Sequence, residues 1–170
     1  LLRGVVSPSN LVPRAPGIGW PIAAVDFMEK EGVKGNCFAD PNMGAYLVWR
    51  LGPERVRCHA DTRGFFFPPE ILEDGVAVLR MGDDWQERLR RVLDRGTDWF
   101  LVPVQGEDAV LWQALRQDVK PTYVDEQVAL IEARQVRLWL KQRVISDGVP
   151  ASLPRQGRTV SSSSRAAPRG

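Results

Sequence analysis

Between an opening rich in proline and glycine and a close rich in serine, the chain carries short apolar runs separated by turn residues. Two hydrophobic periods, one of strands and one of helices, alternate along it. Residues 1–19 hold Pro8, Pro13 and Pro16 with Gly4, Gly17 and Gly19, and read as an extended connector. A helix is expected from Trp20-Pro21, since proline suits the first helical position, through Ile22, Val25 and Met28 to Glu31, with Gly32 ending it. Asn36 to Ala39 reads as a buried strand, and Asp40-Pro41-Asn42 as a turn and helix start. Met43 to Leu51 is apolar all round and predicts a short buried helix stopped by Gly52-Pro53. Arg55 to Ala60 alternates, with Val56, Cys58 and Ala60 opposite Arg57 and His59, as a half-covered strand does.

After Asp61-Thr62-Arg63-Gly64, the run Phe65-Phe66-Phe67 reads as a plug at the core edge, and Glu70 to Arg80 as a helix. The clearest helix is Asp84 to Arg95, where Trp85, Leu89, Val92 and Leu93 share a face, Asp83 or Asp84 caps the start and Gly96 closes the end. Asp98 to Val104 is the clearest strand. Its unbroken apolar character predicts a central position, with Pro103 near its end. A helix over Glu107 to Gln117 follows, and then Pro121 to Val124 and Gln127 to Ala133 pair as a hairpin across Asp125-Glu126. The fold class is therefore α/β, a three-layer sandwich with a mostly parallel sheet of about five strands and a C-terminal antiparallel hairpin. Its body is residues 20–134, with 135–145 as an outward helical extension and 146–170 as a disordered basic tail.

Charge sharpens this division. From Arg134 onward eight basic residues face the single acid Asp147, whereas the preceding 133 residues carry a surplus of five acids, although the whole chain has a net charge of only +2. The tail's cations stand among Ser, Pro and Gly without interleaved aromatics, which argues against a specific nucleic-acid partner and leaves a solvated tail as the plainer reading. With 44% apolar and 26% charged residues the chain belongs to the ordinary globular class. No stretch reaches the ~18 apolar residues of a transmembrane helix. Leu1 is not an initiator methionine, so the sequence reads as a piece of a longer protein.

Few motifs carry chemistry. Gly17-Ile18-Gly19 begins like a dinucleotide fingerprint, but Ile22 stands at the third glycine and no strand precedes it. One histidine and two distant cysteines, Cys37 and Cys58, cannot make a zinc site, and a disulfide requires their two strands to be neighbours. No metal and no cofactor are therefore expected. His59, Asp61 and Arg63 form the one tight cluster of site-like side chains, on a strand end of the kind where α/β proteins bind ligands. The plainer reading has Asp61 fixing the loop with Arg63 paired to it, since no nucleophile accompanies them. Of six tryptophans, Trp49, Trp85, Trp99 and Trp112 are expected in the core, and Trp20 and Trp139 at the surface or an interface.

In order along the chain, Pro21 to Met28, Gly35-Asn36-Cys37-Phe38, Met43-Gly44-Ala45-Tyr46-Leu47-Val48-Trp49-Arg50-Leu51, Arg55-Val56, Asp61-Thr62-Arg63 and Trp99 to Val102 resemble a known pattern. It is that of the soluble C-terminal domain following the membrane spans of bacterial polytopic GT-C type glycosyltransferases and their polyprenyl-phosphate mannosyltransferase-like relatives. The family's Gly-Gly-Tyr-Leu-x-Trp helix corresponds to Gly44, Ala45, Tyr46, Leu47 and Trp49, its Asp-x-Arg to Asp61 and Arg63, and its Tyr-x-Asp to Tyr123 and Asp125. The chain departs at Ala45, and at Arg57 and His59, where the family has apolar residues. The resemblance implies a parent that transfers sugar from a lipid-phosphate donor, with its catalytic carboxylate on a membrane-proximal loop outside these residues. This domain would then be a non-catalytic, extracytoplasmic lid or acceptor-side part of that membrane protein. Its partners would be the upstream transmembrane portion and a lipid-linked sugar or acceptor, with Tyr46, Trp49, His59, Asp61 and Arg63 as substrate-edge or structural residues. A free-standing α/β binding module of unknown ligand is the alternative.

Overall fold

The computed structural model describes residues 19–62 and 67–147, and of residues 144–147 the backbone alone. The elements run α1 (Ile22–Lys30), β1 (Gly35–Ala39), α2 (Pro41–Leu51), β2 (Val56–Cys58), α3 (Pro69–Arg80), α4 (Trp85–Asp94), β3 (Trp99–Pro103), a 3-10 turn (Glu107–Ala109), α5 (Val110–Leu115), β4 (Tyr123–Val124), β5 (Val128–Glu132) and α6 (Ala133–Asp147). They build an α/β domain around one open five-stranded sheet of order β2-β1-β3-β5-β4.

The sheet is mixed. β1 lies parallel to both β2 and β3, but β5 runs antiparallel to β3 and to β4. The expected parallel majority is therefore not found, because the closing hairpin inserts its longer strand directly beside the central one and turns half of the pairings antiparallel. β3 does hold the central place that its apolar run predicts. The hairpin across Asp125 and Glu126 also forms, with Tyr123 opposite Leu130 and Val124 opposite Ala129.

Side chains alternate across a strand, and here the alternation sorts the core into two clusters. Phe100 and Val102 of β3 join Phe38, Ala129 and Ile131 under α3, α4, α5 and α6, whereas Leu101 joins Cys37, Ala39, Val56, Val128 and Leu130 under α1 and α2. Phe38 and Phe100 meet with ring centroids 5.0 Å apart. Burying one such aromatic or aliphatic side chain contributes about 1.5–3 kcal/mol, so the continuous run Phe100-Leu101-Val102, fully buried, is the energetic centre of both clusters.

Local chemistry sets the helix ends. Asp40 caps α2, its Oδ1 accepting from Asn42 N at 2.9 Å, and Pro41 takes the first helical position. Asp84 precedes α4 but does not cap it through its side chain, contrary to expectation, because its backbone is left-handed at φ 56° and the carboxylate does not bond the first amides. α6 starts directly where β5 ends and lays Val136, Trp139 and Leu140 into the α3–α5 cluster. The expected outward extension thus packs inward, and Trp139, expected at the surface or an interface, is 2% exposed in the core.

Among the described residues no helix is long and apolar enough to cross a membrane. The connector, apart from Gly19, together with Arg63 to Phe66 and the tail from 148 onward, lies outside the described residues.

Candidate functional site

In open α/β sheets, ligands gather beyond the carboxyl ends of parallel strands, where neighbouring strands send their connections to opposite sides. Here that point lies between β1 and β3. The chain leaving β1 turns through α2 to β2 on one side, and the chain leaving β3 turns to β4 and β5 on the other. A cleft of about 470 Å³ opens there, lined by Asp40 and Met43 at the start of α2, Gln105, Glu107 and Asp108 after β3, and Gln127 from the hairpin. Among the described residues the lining is carboxylate, carboxamide and thioether, with no hydroxyl or thiol. Gln105 donates to the carbonyl of Glu126, tying the two lips together, and Asp108 accepts from Arg80 Nε at 2.7 Å.

One helical turn from Met43, Tyr46 stands between two indoles. Its ring centroid lies 5.3 Å from that of Trp20 and 5.8 Å from that of Trp49. Tyr46 is buried at 4% exposure, and its hydroxyl accepts from Arg50 Nη1 at 3.1 Å, while Arg50 Nη2 also reaches Asp26 at 2.8 Å. Tyr46 is thus a fixed part of the α1–α2 contact. Trp49, expected in the core, is instead 62% exposed. α2 buries Met43, Gly44, Tyr46, Leu47 and Leu51, which puts Trp49 on its outward side; a helix apolar all round gives no sequence phase to foretell this.

Gly44 explains why the segment carries glycine. A β-carbon there would lie 2.4 Å from the carbonyl oxygen of Ala60 and 3.2 Å from Cβ of Cys58, so its absence lets α2 press onto the end of β2. Cys58 Sγ in turn donates to the carbonyl of Gly44 at 3.3 Å.

Of the sequence cluster at the end of β2, His59 and Asp61 are among the described residues. Asp61 is 4% exposed and engaged within the protein, and its charge adds to burial, the larger cause, in pushing the Cys58 thiol up to about 12. His59 turns to the α3 face, where its ring lies 5.5 Å from Phe38 and its Nε2 is buried with no hydrogen-bond partner among the described residues. Burial, and then the charge of Arg95, lower its pKa, while a hydrogen bond to the backbone of Ile71 and the charge of Asp74 act the other way. Arg63 lies outside the described residues.

Cys37 and Cys58 sit opposite each other on parallel neighbours β1 and β2, the arrangement a disulfide needs, and both are free thiols. Burial, followed by the neighbouring Cys58, raises Cys37 well above the usual thiol value. Among the described residues no three His, Cys, Asp or Glu side chains come together as a metal site.

Two arginine-rich features escaped the sequence reading. Asp74 of α3, fully buried, accepts from Arg91 Nη2 at 2.6 Å, Arg95 Nη2 at 2.9 Å and Arg88 Nη1 at 3.2 Å, so one carboxylate clamps the facing side of α4. The signal was present as Arg88, Arg91 and Arg95 at helical spacing, and as an acid on the apolar stripe with Val78. Beside the clamp, a pocket of about 200 Å³ at the sheet edge is lined by Asn36, Arg57, His59, Ile71, Arg95 and Thr97, together with Cys37 and Cys58.

Compared with family models, with curated proteins and with solved structures, this chain matches none of them.

Proposed function

We propose that this domain is a non-catalytic, extracytoplasmic part of a membrane glycosyltransferase-like protein that uses a lipid-phosphate sugar donor, and that it positions the acceptor or covers the donor as a lid. The observation that carries this reading is the cleft between β1 and β3. Carboxylates and carboxamides line it, the groups that bond vicinal hydroxyls, and among the described residues no hydroxyl or thiol stands with them. An indole–phenol–indole row leads away from its edge to the exposed Trp49, and sugar faces stack on such rings. The resemblance through Gly44, Tyr46, Trp49, Asp61, Tyr123 and Asp125 supplies the membrane protein and the extracytoplasmic side. In this reading the two core clusters make the domain a three-layer sandwich, with α1 and α2 on one face and α3 to α6 on the other.

Two measurements test the proposal. Titrating the domain with mannose and glucose oligosaccharides should move the amide resonances of Gln105, Gly106 and Gln127, and Asp40→Asn should weaken that response. No localised response, or sugar transfer by the isolated domain, overturns the positioning role. The coding sequence upstream of Leu1 should encode several apolar spans of ~20 residues. A start codon immediately before Leu1 would overturn the membrane assignment and leave a free-standing binding module.

A further inference from the structure

We propose that the pocket at the β2 edge of the sheet, bounded by Arg57, His59 and Arg95, binds a phosphate-sized oxyanion. This rests on none of the reading of the β1–β3 cleft, which lies beyond the carboxyl ends of the strands, whereas the oxyanion pocket opens at the edge strand below α3. Its walls come from four parts of the chain, β1 supplying Asn36 and Cys37. β2 and the residue after it supply Arg57 and His59, α3 supplies Ile71, and the turn from α4 into β3 supplies Arg95 and Thr97.

Arg57 is exposed on an edge strand and makes no ion pair among the described residues. Arg95 spends one nitrogen on Asp74, and its side chain stays 33% exposed, so further donors of its fork are free to take a second acceptor. His59 Nε2 is buried and bonds nothing among the described residues, although buried polar atoms are ordinarily satisfied. The floor is rigid, because Asn36 Nδ2 donates to the carbonyl of Gly96 at 2.9 Å and Thr97 Oγ1 to that of Val92 at 2.7 Å. Two guanidiniums and an imidazole around about 200 Å³ match a tetrahedral anion with several acceptor oxygens.

The surrounding charge favours the same occupant. Asp74 is one carboxylate facing Arg88, Arg91 and Arg95, and the outer acids reach them only loosely, Glu73 to Arg88 at 4.0 Å and Glu87 to Arg91 at 3.8 Å. Among the described residues Arg57 joins Arg88, Arg91 and Arg95 as a fourth cation against Asp74, Glu73 and Glu87, while the charge of Asp61, two residues beyond His59, also acts at Cys58 on the pocket lining. An anion seated there gives the imidazolium an acceptor and offsets the charge of Arg95, so binding must raise the pKa of His59.

The experiment uses the chain's single histidine as its reporter. Its imidazole resonances are followed by NMR against pH, with inorganic phosphate or chloride at equal ionic strength. Phosphate should shift them saturably and raise the pKa of His59 where chloride does not, and Arg57→Gln should weaken binding by about tenfold while leaving the fold intact. Vesicles containing phosphatidic acid, compared with phosphatidylcholine alone, then separate the sources: displacement of phosphate assigns a lipid headgroup, and no displacement assigns a soluble phosphoryl compound. Both results support the oxyanion site. No saturable response of His59, or a response that Arg57→Gln does not weaken in a folded protein, overturns it.

Discussion

The hydroxyl of Tyr123 donates to Oδ2 of Asp125 at 2.8 Å, two residues along the same turn. Oδ1 of Asp125 meanwhile accepts from the amides of Gln127 and Val128 at 2.8 and 2.9 Å. One carboxylate thereby closes the hairpin and ties its first strand to the turn, which gives the Tyr-x-Asp pair a physical role.

Asp125→Ala removes three hydrogen bonds from this turn and should lower stability by about 1–2 kcal/mol, seen as an earlier urea midpoint. Burial first, and then the bond to Asp125, raise Tyr123 to about 12, so the variant's tyrosinate absorbance should titrate lower. A tyrosine raised on folding contributes stability that is full below its unfolded value of about 10 and is lost as pH climbs through the folded one. The wild-type domain should lose this contribution between pH about 10 and about 12.

Asp74 sets the opposite pH limit. Burial alone would raise its carboxyl, but hydrogen bonds from Arg91 and Arg95 outweigh that and hold it below the usual range. A depressed carboxyl contributes stability that is present above its unfolded value of about 3.9 and is lost as pH falls through the folded one. Asp74→Asn should cost about 3 kcal/mol at neutral pH, and its stability should change less than the wild type's below pH about 4 in denaturant titrations.

Gly44→Ala should destabilise by about 1–3 kcal/mol, because the new methyl meets the backbone oxygen of Ala60, which has no rotamer to give way. Ala45→Gly, next to it on α2, tests propensity alone and should cost about 1 kcal/mol or less. Equal losses in thermal melts would contradict the close approach of α2 to the end of β2.

Trp49 and Trp139 should separate binding from packing. Trp139→Ala empties a site that is 2% exposed and should cost about 3–5 kcal/mol. Trp49→Ala removes an indole that is 62% exposed and should change stability by less than about 1 kcal/mol, while weakening any oligosaccharide response at the cleft.

The order and type of the elements were readable because each has an unambiguous local cause. Asp40-Pro41 starts α2, the run Phe100-Leu101-Val102 demands cover on both faces, and Asp125-Glu126 leaves only a turn between two apolar strands. What escaped depends on partners distant in sequence. The all-round apolar α2 has no phase, so its pattern alone does not tell that Trp49 faces outward, and the insertion of β5 beside β3 is a long-range choice with no local signature. At the site, His59 was legible as a polar residue on a half-covered strand. Its neighbour Arg95 was not, because it arrives from the turn after α4, 36 positions further along.

The central strand has a consequence for the order of events during synthesis. β1 and β2 emerge from the ribosome with one flank unsheltered, since the strand that covers β1 begins only at Trp99, and that strand waits in turn for Val128. A nascent chain halted in α5 would therefore display an open hydrogen-bonding edge beside Phe100 and Leu101, a natural grip for chaperones and a point where translational pausing would be hazardous.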